Sequence, residues 1–116
     1  MLHAGDGQVD FRLTRGQATY ESAGTVEAAT INGGTLSLDF TRRTFATALA
    51  LSAPSVGAAE LRMAGDVRAD GTFAVRDLDS RQYVAGAVSL DGKEAGYLFE
   101  RGAGAGLFRG KTLWGR

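Results

Sequence analysis

Chemistry needs groups that ionise, attack or coordinate, and this chain offers few of them in useful combinations. His3 is its one histidine and cysteine is absent, which weighs against a thiolate or multi-histidine metal centre and against a Ser-His triad. His3 also sits within residues 1–7, which read as a frayed or extraneous N-terminus. Carboxylates recur at Asp66, Asp70, Asp77 and Asp79. Such spacing can ligate calcium, yet the glycine and closing glutamate of a calcium loop are missing, so a solvated polar loop is the expected role. Glu94 and Glu100 flank an aromatic segment and are of the right type for a glycosidase pair, which spacing alone neither requires nor removes. The glycines from Gly102 to Gly106 open no credible helix and so make no phosphate or dinucleotide cradle. The expectation is a chain with no catalytic residue, no cofactor and no metal.

Binding is the alternative, and the basic side chains suggest where. Arg42 with Arg43, Arg76 with Arg81, and Arg101 would form a strip for an acidic protein or a glycan if neighbouring strands align, with Arg109, Lys111 and Arg116 extending it. The same residues on a β wall serve equally as a solvated outer face. With 13 basic and 13 acidic side chains the formal net charge is zero, which gives no electrostatic reason to expect nucleic acid or an anionic membrane. Met1-Leu2-His3 leads into glycine and aspartate without a basic or apolar run. No signal peptide or spanning helix is expected, although the chain can also be one domain of a longer exported protein.

The elements that must position these residues read as strands. At 116 residues the chain has room for one domain with one core, residues 1–116. Glycine is the informative residue, 17 in all against a single proline. Five fall between Gly96 and Gly110, a density no helix tolerates, since each costs roughly 1 kcal/mol relative to alanine in a helix interior. A curved sheet uses them for bends, bulges and close approach of a ring.

Val9, Phe11 and Leu13 alternate with polar neighbours until Arg15-Gly16 interrupts them, and Ala18-Thr19-Tyr20 resumes extended character. Thr25 to Ile31 favours strand and Asn32-Gly33-Gly34 reads as the hairpin turn that closes it. Leu36, Leu38 and Phe40 then share one face. Phe45, Thr47, Leu49 and Leu51 alternate with alanines; their composition also suits a helix, and the unbroken large-small alternation favours strand. Further strands are expected at Ala59–Val67, Phe73–Val75, Tyr83–Val88, Ala95–Glu100 and Ala105–Trp114, with turns at Asp70-Gly71 and Asp91-Gly92.

A faint repeat supports a meander. Gly34-Thr35-Leu36-Ser37-Leu38 with Arg43 and Phe45 parallels Gly71-Thr72-Phe73-Ala74-Val75 with Arg81 and Tyr83, each copy reading as one hairpin. About eight short strands then suggest an all-β, antiparallel up-and-down barrel, with a two-sheet sandwich as the alternative, and closure disposes of exposed edges. A barrel of this size holds packed side chains or one small ligand. Phe11, Tyr20, Phe40, Phe45, Phe73, Tyr83, Tyr97, Phe99, Phe108 and Trp114 are its expected filling.

The segments VAGAVSLDGKEAGYLFERGAGAGLFRGKTLWGR, SLDFTRRTFATALALS and RADGTF carry a family resemblance. Over roughly Gln17 to Arg116 the chain resembles the small β-barrel domain of transferrin-binding protein B and related bacterial surface lipoproteins. It is most similar to the C-terminal barrel domain of some exported proteins that carry an iron-dicitrate-sensor (FecR) domain. The resemblance implies a noncatalytic bacterial module of the periplasm or cell surface, part of a larger exported protein, whose partner is another protein or a neighbouring domain. The alternative expectation is a small lipocalin-like carrier with an apolar ligand in its lumen.

Overall fold

The computed structural model describes residues 7–116, so His3 and most of the expected N-terminal tail lie outside the described residues. Gly7 itself is bonded: its N–H donates to Thr41 Oγ1 at 3.2 Å and its carbonyl accepts from the Phe40 N–H at 3.1 Å. Eight strands follow in order: β1 Gln8–Ser22, β2 Thr25–Asp39, β3 Thr44–Ala53, β4 Gly57–Asp66, β5 Thr72–Asp77, β6 Gln82–Val88, β7 Glu94–Ala103 and β8 Gly106–Gly115. They form one antiparallel sheet in the order β4-β3-β2-β1-β8-β7-β6-β5. First and last strands pair with each other, so the sheet curls into a nearly closed, flattened barrel of 45 × 27 × 17 Å. A single continuous sheet selects the barrel over the sandwich, and Phe45 to Leu51 is strand, not helix.

One expected interruption and one expected turn mark something else. Arg15-Gly16 lies inside β1 and Asn32-Gly33-Gly34 inside β2; the hairpin joining these strands is at Ala23-Gly24, next to the Ser22/Thr25 pair. The register shifts between Leu13 and Arg15 against β8 and between Ile31 and Gly33 against β3. The β1–β2 pairing itself runs from Gln8 to Phe11 and resumes at Ala18. Both signals are therefore bulges, each inserting one residue and bending a fifteen-residue strand round the barrel, where an interruption was expected at Arg15-Gly16 and a hairpin turn at Asn32-Gly33-Gly34. The first copy of the repeat accordingly starts at a bulge, not at a hairpin. Its second half keeps its meaning: Arg43 and Arg81 occupy equivalent loop positions, with φ of 55° and 57°.

Inward residues make one core. Nine of the ten aromatics are buried; Tyr83 faces outward, paired with Arg76 and Glu100. Phe45 and Phe73 rings lie 4.4 Å apart, Tyr97 stacks on Trp114 at 5.9 Å, and Tyr20 meets Phe108 at 5.0 Å. Gly110 makes room for this filling, because a Cβ there would collide with the Gln17 carbonyl and the Phe99 ring. Polar atoms inside the barrel are satisfied in two short relays. Trp114 Nε1–H donates to Thr112 Oγ1 at 2.7 Å, and that hydroxyl donates to the Tyr97 carbonyl at 3.4 Å. Thr47 Oγ1–H donates to the Thr35 carbonyl at 2.8 Å, so the Tyr97 hydroxyl, 2.7 Å away, must be the donor to Thr47.

Between β4 and β5 the sheet has a seam without a ladder. Side chains bridge it. Gln82 Oε1 accepts from the Arg62 N–H at 2.6 Å and Arg101 Nε donates to the Glu60 carbonyl at 2.8 Å, so edge groups of β4 that would otherwise await a ninth strand are occupied.

Two measurements test this account. Gln82→Leu removes the acceptor for Arg62, and about 1 kcal/mol of stability should go with it, together with faster hydrogen exchange at the Arg62 amide; an unchanged exchange rate there would show the seam to be held otherwise. Burial pushes the Tyr97 phenol up to about 12 from 10.0, against lowering contributions from the Thr47 and Thr112 hydroxyls. A raised folded-state value means that the neutral phenol's stabilisation is complete below pH 10 and is lost as pH rises from there towards 12. Across that window urea unfolding of the wild type should lose roughly 2 kcal/mol more than that of Tyr97→Phe, which has no phenol to ionise.

Candidate functional site

Antiparallel pairing gives the barrel two ends. Gly7, Arg116 and the loops β2–β3, β4–β5 and β6–β7 share one end, and the remaining four hairpins share the other. The five candidate arginines do not come together as one strip. Arg42 and Arg43 lie in the β2–β3 loop at the first end, while Arg76, Arg81 and Arg101 lie towards the second.

Most of these arginines already have work within the fold. Arg42 contributes its backbone N–H to Asp39 Oδ1 at 2.9 Å and leaves its guanidinium exposed. Arg43 takes the left-handed conformation of a loop's last residue, and its carbonyl accepts from the Val67 N–H at 2.7 Å. Arg81 lies across Gly102, where a Cβ would strike it. From there it donates to the carbonyls of Gly104 at 3.1 Å and Gly106 at 3.0 Å, pinning the β7–β8 hairpin. Arg101 holds the seam and also donates to the Ser80 and Gly102 carbonyls. Arg76 sits 4.4 Å over the Tyr83 ring in a cation–π contact.

The aspartates are likewise divided. Asp66 and Asp70 flank the β4–β5 loop, Asp77 and Asp79 the β5–β6 loop at the opposite end. Asp70 accepts from the Thr72 hydroxyl at 2.7 Å and the Thr72 N–H at 3.0 Å, and Asp77 from the Asp79 and Ser80 N–H groups. Asp91 closes the β6–β7 turn in the same way, with the Ser89 hydroxyl at 2.7 Å and the Lys93 N–H at 3.0 Å. Hydrogen bonds from Thr72, Ser80 and Ser89 respectively hold these three carboxyls below the usual carboxylate range. They are turn-capping aspartates, and among the described residues no three candidate metal ligands converge. Glu94 and Glu100 face the same side of β7 six residues apart, roughly 20 Å along a strand, well beyond the reach of a glycosidase pair. Glu100 is bonded to Arg109 at 3.3 Å.

What the residue-by-residue reading missed is the outer wall of β1, β8 and β7. Leu98 is 60% exposed and Leu113 is 52% exposed, although their neighbours Tyr97, Phe99, Thr112 and Trp114 are buried. Ladder register places Leu98 beside Lys111 on β8 and Leu113 beside Arg15 on β1. Two shallow grooves run along this wall. One, of about 230 Å3, is bounded by Arg15, Gln17, Lys111 and Leu113; the other, of about 330 Å3, by Gln17, Thr19, Leu98, Arg109 and Lys111. A larger open groove of about 520 Å3 lies between the β1–β2 and β7–β8 hairpins, beside exposed Val26 and the Glu21–Arg109 ion pair at 3.0 Å. The missed signal was parity: two leucines fall on the outward phase of strands whose inward phase is already aromatic.

No family profile matches the chain, and no curated protein is similar to it. Among solved structures it is similar in fold to the siderocalin Ex-FABP, described as functioning through dual ligand specificities. The alignment covers 96% of this chain and 72% of that one, at 9% identity and a TM-score of 0.44, a likeness from which neither membership nor ligand is transferred.

Proposed function

We propose that this chain is a noncatalytic binding module that works through its outer surface, contacting another protein or a neighbouring domain of a longer chain. The observation that carries this reading is the filled interior. Trp114, Phe73, Phe99 and Phe108 are fully buried among tilted, edge-on and stacked rings, so the apolar surface on offer is outside, at Leu98 and Leu113 on the wall and at Val26, Leu78 and Leu90. The resemblance of the chain over roughly Gln17 to Arg116 to surface-lipoprotein barrels supports a place in the bacterial periplasm or at the cell surface.

A lipocalin-like carrier is the second reading, and the barrel's strand count and near-closure favour it. It requires the Tyr97–Trp114 stack to part, or a ligand to rest at one mouth of the barrel. Trp114, the chain's single tryptophan, is one of the two rings of that stack and reports on it. Titration with decanoate, which does not absorb tryptophan emission and so quenches only on close contact, is expected to leave Trp114 emission unchanged while the fold stays intact. Saturable one-to-one quenching would overturn the surface-module reading and establish the carrier in its place.

A further inference from the structure

We propose that the outer wall of β1, β8 and β7 is a docking surface for an extended, acidic and leucine-rich peptide segment of a protein partner, an inference that rests on the surface-module reading. Leu98 and Leu113 stand out from the wall on adjacent strands, and each has a cation beside it in the ladder, Lys111 and Arg15 respectively. Neither cation is paired with a carboxylate among the described residues, whereas Arg109 one row away is held by Glu21 and Glu100. Beside the leucines the wall carries small apolar residues: Gly96 lies between Leu113 and Ala87, and Leu98 lies beside Ala85 and then Ala74. Grooves sharing Gln17 and Lys111 flank the leucines. Apolar pegs alternating with unneutralised cations are complemented by carboxylates that alternate with aliphatic side chains.

Charge complementarity also selects among occupants. Between Glu94 and Glu100 the patch carries no carboxylate, and Glu100 is already bonded to Arg109, so a second copy laid centre to centre on it would press Lys111 and Arg15 against leucine, alanine or glycine of its twin and desolvate both charges unpaired. A flat anionic bilayer laid on this wall would cover Glu94 and Glu100 on the same face of β7 together with Leu98. A single extended acidic peptide avoids both obstacles, because it is narrow enough to run along β8 beside Lys111 and Leu113 without covering those glutamates.

The test is an amide-resolved NMR titration of the intact chain with an octapeptide of alternating leucine and glutamate. Peptides of alternating leucine and lysine, and of alternating serine and glutamate, serve as probes of charge and of apolar content. Saturable shifts confined to Gln17, Leu98, Lys111, Leu113 and their neighbours are expected with the first peptide alone. Lys111→Glu and Leu98→Gln should each weaken binding by about tenfold, with the remaining spectrum unchanged because both side chains are exposed. Equal response to the leucine-lysine peptide, shifts located elsewhere, or no shift would overturn the proposal. So would movement of the same amides with protein concentration alone, which marks a second copy, or preferential binding to phosphatidylglycerol vesicles. A negative peptide titration alongside unresponsive Trp114 fluorescence would sink this docking surface and leave the surface-module reading standing.

Discussion

Everything in this barrel depends on fitting large rings inside a wall only a few strands wide. A flattened cylinder 17 Å across its short axis leaves little beyond one layer of side chains between opposing walls, given stacked sheets about 10 Å apart. Phe99 occupies the space over Gly110 that any side chain would contest, and Trp114 lies against Tyr97. Close packing of this kind fixes register, because a one-residue slip would turn the rings to solvent and bring Lys111 and Arg109 inside. The two hydroxyl relays sharpen the effect: Tyr97 finds Thr47, and Trp114 finds Thr112, in one alignment of the strands. An unmet phenol or indole in that interior would cost a few kcal/mol.

The wall's incompleteness then explains the basic residues. An eight-strand sheet that meets itself without a ladder between β4 and β5 exposes edge N–H and C=O groups, and long side chains with several donors or acceptors can reach them. Arg101 and Gln82, opposite one another on β7 and β6, do so from the far side of the seam. Arg81 performs a similar service for the β7–β8 hairpin carbonyls. Guanidinium groups suit this role because their fixed fork offers several donors at once. Charge that reads in one dimension as a surface for partners is, for these two arginines, the means by which the polypeptide closes.

Periodicity made the strand content, the antiparallel order and the inward aromatics legible. The alternation of Phe45, Thr47, Leu49 and Leu51 with alanines is borne out as strand, as is the inward phase of Phe108, Thr112 and Trp114. Turn chemistry was less legible. Asn32-Gly33-Gly34 has the composition of a hairpin turn, yet continuation of β2 and its ladder with β3 outweighs that local preference, and the same residues serve as a bulge. The Arg43/Arg81 equivalence in the repeat survived as backbone conformation, while Tyr83 went to the outer face although Phe45 is buried. Side-chain destinations such as Arg101 on Glu60 depend on a contact 41 residues distant in sequence, which no local pattern encodes. Leu98 and Leu113 were visible as letters, but their meaning needed the neighbouring strand.

Pairing of β1 with β8 puts the beginning of the first strand and the end of the last at the same pole, where the Arg116 N–H is also tied to the Lys93 carbonyl at 3.2 Å. The seam lies on the far side of the sheet order, bounded by the exposed Arg68–Asp70 loop. Topologically the molecule is a ring of strands with two openings, one covalent and one stitched by side chains. A short linker joining residue 116 to residue 8, with the backbone cut between Ala69 and Asp70, would exchange these roles and yield a circular permutant whose new ends are the strands the seam already leaves unladdered.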